Sequence, residues 1–318
     1  MVPVSKAQAR QRAGRAGREG PGICFRLYTE ASYETLDENT VPEIKRCNLA
    51  AVLLQMKAIG VDDVIAFDFL ERPPHAAVAR ALEDLLLLNA LDATQRGRLS
   101  ELGSRMSQLP LPPMYAKMLL DANAEGCTSE ILSILAMISV ENVFFVPSNQ
   151  REQANAARKR FASPFGDHLT MLTVWTGFQS AKNEDRWCRE HFVNFRSMSR
   201  VKEVRQQLGR IAKDLGLDPQ RSCAQAEVPH DVIRRCLVTA LFLNLACLHS
   251  DGTYATARNR TTVSIHPSSV LFGRKPKCVI YDEIILTKKC YLRGVSAVEE
   301  AWLPELAPQL YRARELAK

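Results

Sequence analysis

The chain has 318 residues, of which 46% are hydrophobic and 24% are charged. This balance is typical of a globular protein that buries one large core or two to three small ones. No run of eighteen apolar residues occurs, and no apolar stretch follows the charged residues at the start, so the sequence predicts neither a membrane-spanning helix nor a signal peptide. The net charge of +7 permits a nucleic-acid partner without requiring one.

The cysteines are scattered and include no Cys-x-x-Cys pair. This usage predicts reduced thiols, mostly in cores, in a cytosolic or nuclear protein. Cys188 and His191 have the spacing of half a zinc site, but no second pair lies at a matching offset. We therefore expect these two side chains to pack and no metal to be bound.

The most distinctive stretch is Gln11–Arg18, which reads Gln-Arg-Ala-Gly-Arg-Ala-Gly-Arg. If a helix from Ser5 to Arg15 continues in phase to Arg18, the glutamine and the last two arginines lie at i, i+4 and i+7 on one face. The two glycines would let a large anion approach closely, and planar guanidinium groups bind phosphate bidentately. The stretch therefore predicts a polyphosphate-binding face, with a solvated basic run or a nuclear-import patch as the alternative.

This stretch resembles motif VI of superfamily 2 helicases, in the form found in DEAH-box RNA helicases. The resemblance continues to about Tyr311 and includes the segments 22–29, 41–44 and 46–49. It implies that Arg15 and Arg18 are arginine fingers that reach ATP bound by a first RecA-like domain. It also implies that Gln11 lies near the γ-phosphate and the attacking water, and that ATP with Mg²⁺ is bound mainly by that first domain.

Two motifs that the family needs for ATP hydrolysis do not occur in this sequence. There is no Gly-x-x-x-x-Gly-Lys-Ser/Thr and no Asp-Glu-x-His. In the family both lie in the domain that precedes motif VI. We therefore expect residues 1–40 to be the C-terminal remnant of a second RecA-like domain, with a strand at Ile23–Tyr28, and the chain alone to hydrolyse no ATP.

A second unit is predicted for residues 41–110. Thr40 and Glu43 fit a capping box for a helix that Gly60 ends. Its inward positions would be the apolar residues Leu49, Val52, Leu53, Met56 and Ile59. A second helix at 74–89 and a short hairpin at 91–100 complete the pattern of a winged helix, which the resemblance places here. We interpret it first as a structural hub, with duplex binding as the alternative.

Residues 111–218 have a helical pattern throughout, after a boundary of three prolines. They resemble the helical-bundle, or ratchet, domain of the family, which forms one wall of the RNA channel. Our candidates for RNA backbone contacts are Arg158, Lys159, Arg160, Asn194 and Arg196. Asp167 is predicted to cap a helix. We expect His168 and His191 to be structural, because no carboxylate partner is evident in the sequence.

Residues 219–318 are predicted to form a small OB-like β-barrel with a terminal helix from Trp302. A polar linker precedes one long apolar helix, Asp231–Leu248. Five short strands follow, at 253–256, 262–265, 270–272, 277–286 and 290–298. OB folds bind single strands by groove and stacking. His266, Ser268 and Ser269 match the family's Ile-His-Pro-Ser segment, and they either contact RNA or brace the barrel.

The fold class is therefore a multidomain, mainly α protein: a remnant of a RecA-like α/β domain, a winged helix, a helical bundle and a small OB-like barrel. By resemblance, the function is that of the C-terminal part of an RNA helicase serving splicing or ribosome assembly, in the nucleus or nucleolus, with the cytoplasm as an alternative. The expected partners are single-stranded RNA, ribonucleoproteins and a glycine-patch activator, without a membrane. Other hypotheses are a non-catalytic RNA-binding or adaptor module and a nuclear scaffold that binds no RNA.

Overall fold

The protein is described from a computed structural model, which covers residues 3–92, 94–95, 97–147 and 149–311. Within these ranges the chain divides into two compact units. The first unit contains residues up to 49 together with 63–81, and the second contains 50–62 together with residues from 82 onward. No helix in the described ranges has the length and apolar character needed to cross a membrane.

The first unit begins with helix α1, Lys6–Ala13. A capping box between Ser5 and Gln8 holds its N-terminus. The Ser5 hydroxyl also bonds the Thr40 hydroxyl at 2.8 Å, so Thr40 does not act as the predicted cap. The sequence after it forms only a short 3-10 helix, Glu43–Lys45.

The segment 23–28 forms no strand, which corrects the prediction. Its alternate side chains Ile23, Phe25 and Leu27 are largely exposed. A strand is stabilised by hydrogen bonds to a neighbouring strand, and no described segment supplies that neighbour. The only helix that follows before residue 43 is the short α2, Glu30–Glu34.

The helix predicted to begin near Thr40 begins later, at Ala50, so α3 spans Ala50–Ala58. It ends as predicted before Gly60, whose φ of 95° is a left-handed conformation that favours glycine. Three of the five positions predicted to face inward are buried, and two are exposed. The buried residues are Leu49, Leu53 and Met56, and the exposed residues are Val52 and Ile59.

The second predicted helix and the hairpin after it are confirmed. Helix α4 spans His75–Leu87, and its chain passes from the first unit into the second. Strands β1, Leu91–Asp92, and β2, Arg98–Leu99, pair antiparallel. Helix α5, Glu101–Ser107, follows directly, capped by the Ser100 hydroxyl.

Residues 113–214, called the helical bundle below, are helical as predicted. The helices are α6 (Pro113–Glu125), α7 (Thr128–Ile138), α8 (Arg151–Lys159), α9 (Asp167–Gln179), α10 (Glu184–His191) and α11 (Phe195–Asp214). Their core contains Trp175, Phe178 and Cys188. Burial raises the pKa of the Cys188 thiol to about 12, which agrees with the packing role predicted for this residue.

Residues 229–311, called the sheet domain below, begin with α12, Pro229–Leu241. The prediction of one helix reaching Leu248 is wrong, because a 3-10 helix ends at Asn244 and Leu245–Leu248 is strand β3. Apolar runs occur in buried helices and in buried strands alike, so periodicity alone does not separate them.

The strands after β3 correct the predicted set further. They are β4 (Tyr254–Thr256), β5 (Thr262–Ile265), β6 (Cys278–Ile280), β7 (Glu283–Leu286), β8 (Cys290–Arg293) and β9 (Ser296–Val298). Each of the last two predicted strands is thus divided into two, and Val270–Phe272 forms a turn. The terminal helix is short, α13 at Leu303–Leu306, and the predicted region 312–318 lies outside the described residues.

The seven strands form one sheet in the order β7-β8-β5-β4-β3-β6-β9. The β5–β8 pair is parallel and the others are antiparallel. Helix α12 packs against α6 of the helical bundle and against β9. The prediction of a multidomain, mainly helical protein with a small β domain is confirmed.

Candidate nucleotide and RNA site

The arginine-rich stretch lies at the end of α1 and in the turn that follows. The helix ends at Ala13, and residues 14–17 form turns. The prediction that Gln11, Arg15 and Arg18 share one helical face is therefore wrong in its geometry, since only Gln11 is helical. Gly14 takes the C-cap position and interrupts the helix before Arg15.

All three motif side chains are exposed to solvent. Within the described residues, neither the Arg15 nor the Arg18 guanidinium has a hydrogen-bond or ion-pair partner, whereas Arg10 is paired with Glu38. A Cβ atom placed on Gly17 would meet no atom within 4 Å. Packing within this unit therefore does not require glycine there, and the arrangement fits a motif that presents free guanidinium groups to a bound polyphosphate.

The second candidate feature is a cavity of about 450 Å³ between the helical bundle and the sheet domain. It is lined from the bundle by the segment 140–144, Arg158 and the start of α9, and from the sheet domain by Ser268, Asp282 and Arg293. Both acidic and basic side chains reach it, so the lining is of mixed charge.

The loop before α9 ties the two walls of this cavity together. Asp167 does not cap the helix, as the sequence had predicted, because it is the first helical residue. Its two carboxylate oxygens accept the Val270 N–H at 2.9 Å and the Val295 N–H at 2.8 Å. Gly166 forms a β-bridge with Ser296. Asp167 thus joins the bundle to two separate loops of the sheet domain.

His168 has the carboxylate partner that the sequence did not reveal. Its Nε2 lies 3.0 Å from Asp282 Oδ1, and its Nδ1 lies 2.8 Å from the Ser296 hydroxyl. The Tyr115 hydroxyl donates to the same Asp282 oxygen at 3.0 Å. His168 is only 1% exposed, so this network is placed to brace the junction, which agrees with the predicted structural role.

The pKa of His168 reflects two opposing effects. Burial lowers it, but the Asp282 carboxylate, which the ring contacts, and the nearby Asp167 carboxylate together outweigh burial, so the pKa lies above its ordinary value. For Tyr115, burial and the same Asp282 carboxylate raise the pKa. The Tyr115 phenol therefore stays protonated near neutral pH, and the surroundings of His168 favour its protonated form more than water does.

Arg158 is the predicted RNA residue that lies on the cavity wall. Its guanidinium donates to the Ser268 carbonyl at 2.6 Å and sits 4.9 Å from the centre of the Phe144 ring. Burial lowers its pKa, although a guanidinium remains charged at neutral pH. Arg158 and Ser268, which are 110 positions apart in sequence, are thus brought together across the junction.

Apart from Arg158 and Ser268, the predicted RNA residues lie outside the cavity lining within the described ranges. Lys159, Arg160 and Arg196 are exposed on the bundle. The Asn194 side chain caps α11 by accepting the Ser197 N–H at 3.3 Å, which gives it a local structural role. The Asn194 N–H also donates to the Val143 carbonyl, so the α11 N-terminus supports the cavity-lining segment.

In the segment His266–Ser269, Ser269 is buried and braces the fold, whereas His266 and Ser268 lie at the surface. Ser269 is 8% exposed, and its hydroxyl accepts the Leu271 N–H at 3.2 Å. The His266 ring accepts the Ser268 N–H at 3.1 Å through Nδ1, which leaves its Nε2–H free to donate. The Ser268 hydroxyl also bonds His266 Nδ1 at 2.7 Å. Ser268 is exposed and His266 is half-buried, so a ligand can reach both side chains.

Sequence reasoning missed Asp282, Arg293 and the segment 140–144. Asn142 in that segment has a positive φ of 55°, which asparagine tolerates better than most residues, and this was the only local signal. Nothing in the sequence linked Asp282 to His168, because they are 114 positions apart. No grouping of three or more His, Cys, Asp or Glu side chains suited to a metal ion occurs in the described part of the chain.

Family models match three consecutive parts of the chain. A winged-helix helicase-associated domain (HA2) matches residues 81–111, its ratchet-like part matches 112–171, and an oligonucleotide/oligosaccharide-binding (OB) fold matches 233–311. The human protein named probable ATP-dependent RNA helicase DHX35 is 46% identical over 314 residues, which is 98% of this chain and 44% of that protein. The chain belongs to the DEAH-box RNA helicase family.

Two further DEAH-box relatives are similar over nearly the whole chain. Human ATP-dependent RNA helicase DHX33 is 44% identical over 98% of this chain and 44% of its own length. The Arabidopsis thaliana pre-mRNA-splicing factor ATP-dependent RNA helicase DEAH10 is 41% identical over 99% of this chain and 45% of its own length. The chain thus spans less than half the length of these relatives and corresponds to the DEAH-box portion that carries the helicase-associated and OB-fold domains.

Proposed function

We propose that this chain acts as the C-terminal part of an ATP-dependent DEAH-box RNA helicase that remodels RNA or ribonucleoproteins. The observation that carries the proposal is the 41–46% identity, over 98–99% of the chain, to three proteins named ATP-dependent RNA helicases. We place the domain boundaries as the sequence predicted, at 1–40, 41–110, 111–218 and 219–318. The three matched ranges support this division, since each lies inside a single predicted domain, with a difference of at most one residue at a boundary.

The proposed role of Arg15 and Arg18 is to stabilise the γ-phosphoryl group of ATP during its transfer. Their exposed guanidinium groups, without partners in the described residues, support this role, because arginine fingers act by neutralising charge that develops in the transition state. Gln11 would position the attacking water. Mg²⁺, bound with ATP mainly by the first RecA-like domain, would neutralise phosphate charge.

The arginine-finger role is tested in the full-length protein by Arg18→Ala, with RNA-stimulated ATP turnover as the measurement. We expect turnover to fall by about 10³-fold or more. Arg10→Gln is the matched control, because it removes a positive charge from the same region but from a side chain paired with Glu38, and it should change turnover little. Turnover near normal in Arg18→Ala would contradict the assignment.

For RNA, we propose that the bundle and the sheet domain bind a single strand at their shared edge. The exposed cations Lys159, Arg160 and Arg196 would contact backbone phosphates, while Arg158 would hold the cavity wall near Ser268 and His266. The hydrogen bonds of Asn194 and Ser269 support a bracing role for these two side chains. Binding through phosphates makes affinity strongly dependent on salt.

A pair of variants on α11 tests the RNA surface. Arg196→Gln and Lys213→Gln each remove one exposed positive charge from the same helix, at positions about 25 Å apart along its axis. We expect only Arg196→Gln to weaken binding of a fluorescent single-stranded oligoribonucleotide and to reduce the salt slope by about 0.7. Equal effects of the two variants would contradict this surface. Salt-dependent RNA binding by the full-length protein that ATP does not affect would favour the non-catalytic adaptor hypothesis, and no RNA binding would favour the scaffold.

The pathway and partners of the full-length protein are proposed from the name of a relative and from the family resemblance. The name of the Arabidopsis relative refers to pre-mRNA splicing, which supports a nuclear role, and ribosome assembly in the nucleolus is the alternative. We further propose that a glycine-patch protein activates the parent through the winged helix and that ribonucleoprotein complexes are its targets. Co-purification of tagged full-length protein with spliceosomal or pre-ribosomal RNA would distinguish the two pathways.

A further inference from the structure

Two cysteines lie opposite each other on neighbouring strands of the sheet, β3 and β6. Cys247 on β3 is the cross-strand partner of Cys278 on β6, and their sulfur atoms are 2.8 Å apart. The Leu248 N–H donates to the Lys277 carbonyl at 2.8 Å, which makes that next pair the hydrogen-bonded one. The two cysteines therefore form a non-hydrogen-bonded pair, in which Cα atoms are about 4.5 Å apart. This spacing lies within the range that a disulfide requires.

The two thiols differ in environment. Cys247 is partly exposed and Cys278 is only 2% exposed. A hydrogen bond from the Cys278 thiol lowers the pKa of Cys247, although burial acts in the opposite direction. The same hydrogen bond, together with burial, raises the pKa of Cys278. Cys247 is thus the more nucleophilic and more accessible member, while Cys278 is a protected neighbour within reach of it.

We propose that Cys247 and Cys278 form a reversible disulfide that makes the sheet domain sensitive to oxidation. The Cys247 thiolate attacks one sulfur of glutathione disulfide and releases one glutathione thiolate. Cys278 then loses its proton to solvent, attacks the Cys247 sulfur and releases the second glutathione. In sum the two cysteines lose two protons and two electrons, and glutathione disulfide gains them as two thiols.

The disulfide would act on the segment proposed to meet RNA. The two cysteines are 31 positions apart, and the loop between them contains His266, Ser268 and Ser269. Closing this loop would clamp β3 to β6 and restrict the unfolded chain. We expect oxidation to raise the melting temperature of the chain by about 5–10 °C. Disulfides of this kind in reducing compartments are transient and serve as redox sensors. The inference does not depend on the proposed helicase activity.

The test is oxidation of the 318-residue chain in glutathione buffers of increasing oxidised fraction. Samples are quenched with acid, free thiols are alkylated, and tryptic peptides are mapped by mass spectrometry. The linked peptides are 236–258 and 278–288. Because Cys236 shares a peptide with Cys247, fragmentation must assign the bond. We expect a Cys247–Cys278 bond that dithiothreitol reverses, and a rise in melting temperature that Cys247→Ser abolishes.

A second thiol pair in the same chain is the matched control. Cys127 and Cys236 are neighbours, but the Cys236 thiol donates to the Met118 carbonyl and both residues are 0% exposed, so they should stay reduced while the chain is folded. The proposal is overturned if Cys247 and Cys278 stay alkylatable in fully oxidised glutathione, or if glutathione remains on Cys247 without ring closure. Both readouts use the wild-type chain, so they hold even if a serine variant does not fold.

Discussion

Gly166 is a position where a single methyl group should cost much stability. It joins the helical bundle to the sheet domain through its bridge to Ser296. Its φ of 129° and ψ of −169° lie in a region that only glycine adopts readily. A Cβ atom there would lie 2.4 Å from the Val295 carbonyl oxygen and 2.5 Å from the Ser296 Cα. Both are backbone atoms, so no flexible side chain can move aside.

The cost of Gly166→Ala follows from these two effects. Holding a residue with a side chain in that backbone region costs about 1–3 kcal/mol. Forcing a methyl group into a packed site costs about another 1–3 kcal/mol. We therefore expect the free energy of unfolding to fall by about 4 kcal/mol, which is a large part of the roughly 5–15 kcal/mol that stabilises a typical protein.

Urea unfolding followed by tryptophan fluorescence measures this loss, since all three tryptophans lie in the second unit. With a slope of about 2–3 kcal/mol per M, the midpoint should fall by roughly 1.5–2 M. Gly209→Ala is the matched control. It lies inside α11, where the nearest atom to its Cβ would be 3.9 Å away, and it should stabilise the chain by about 0.5–1 kcal/mol. Equal midpoints for wild type and Gly166→Ala would refute the reasoning.

Two further predictions concern charged groups in the second unit. The raised pKa of His168, which faces Asp282 beside Tyr115 and Asp167, contributes stability that is full below its unfolded pKa of about 6.5 and is lost as pH rises through the folded pKa. The wild-type urea midpoint should therefore fall as the pH rises above about 6.5, and His168→Gln should show a flatter profile; a flat wild-type profile would contradict the assignment. Arg258→Met should destabilise the chain by about 1–3 kcal/mol in the same assay, because it leaves the mostly buried Asp84 carboxylate on α4 without its ion-pair partner. Loss of an exposed i,i+4 ion pair should cost under about 0.5 kcal/mol, and a similarly small effect of Arg258→Met would rule out the larger role.

Short-range patterns correctly predicted several elements. The proline boundary and the 3.6-residue periodicity located the bundle helices, and Gly60 marked a helix end that the structure confirms. The hairpin β1–β2 was found because a polar turn at 94–98 separates Leu91-Asp92 from Leu99-Ser100. These features depend on residues within a few positions of one another, so the sequence contains the needed information.

The errors occurred where distant partners decide the local conformation. The apolar run 231–248 is a helix in its first part and a strand in its last, because β4 and β6 supply hydrogen-bonding neighbours for Leu245–Leu248. The segment 23–28 has strand-like composition but no described neighbour, so it remains unpaired. Asp167 was predicted to cap α9, but it bonds two loops of the sheet domain that are more than 100 positions away.

The sequence by itself determined the family of this chain, through a motif of eight adjacent residues and a resemblance along most of its length. It also determined most helix positions, since periodicity and capping are local. Only the tertiary structure decided which side chains are free and which are engaged: Arg15 and Arg18 remain exposed, Asn194 and Ser269 are held by backbone groups, and Cys247 meets Cys278. The physical reason is that hydrogen bonds and strand register form between residues that are close in space, and their separation in sequence gives no measure of that distance.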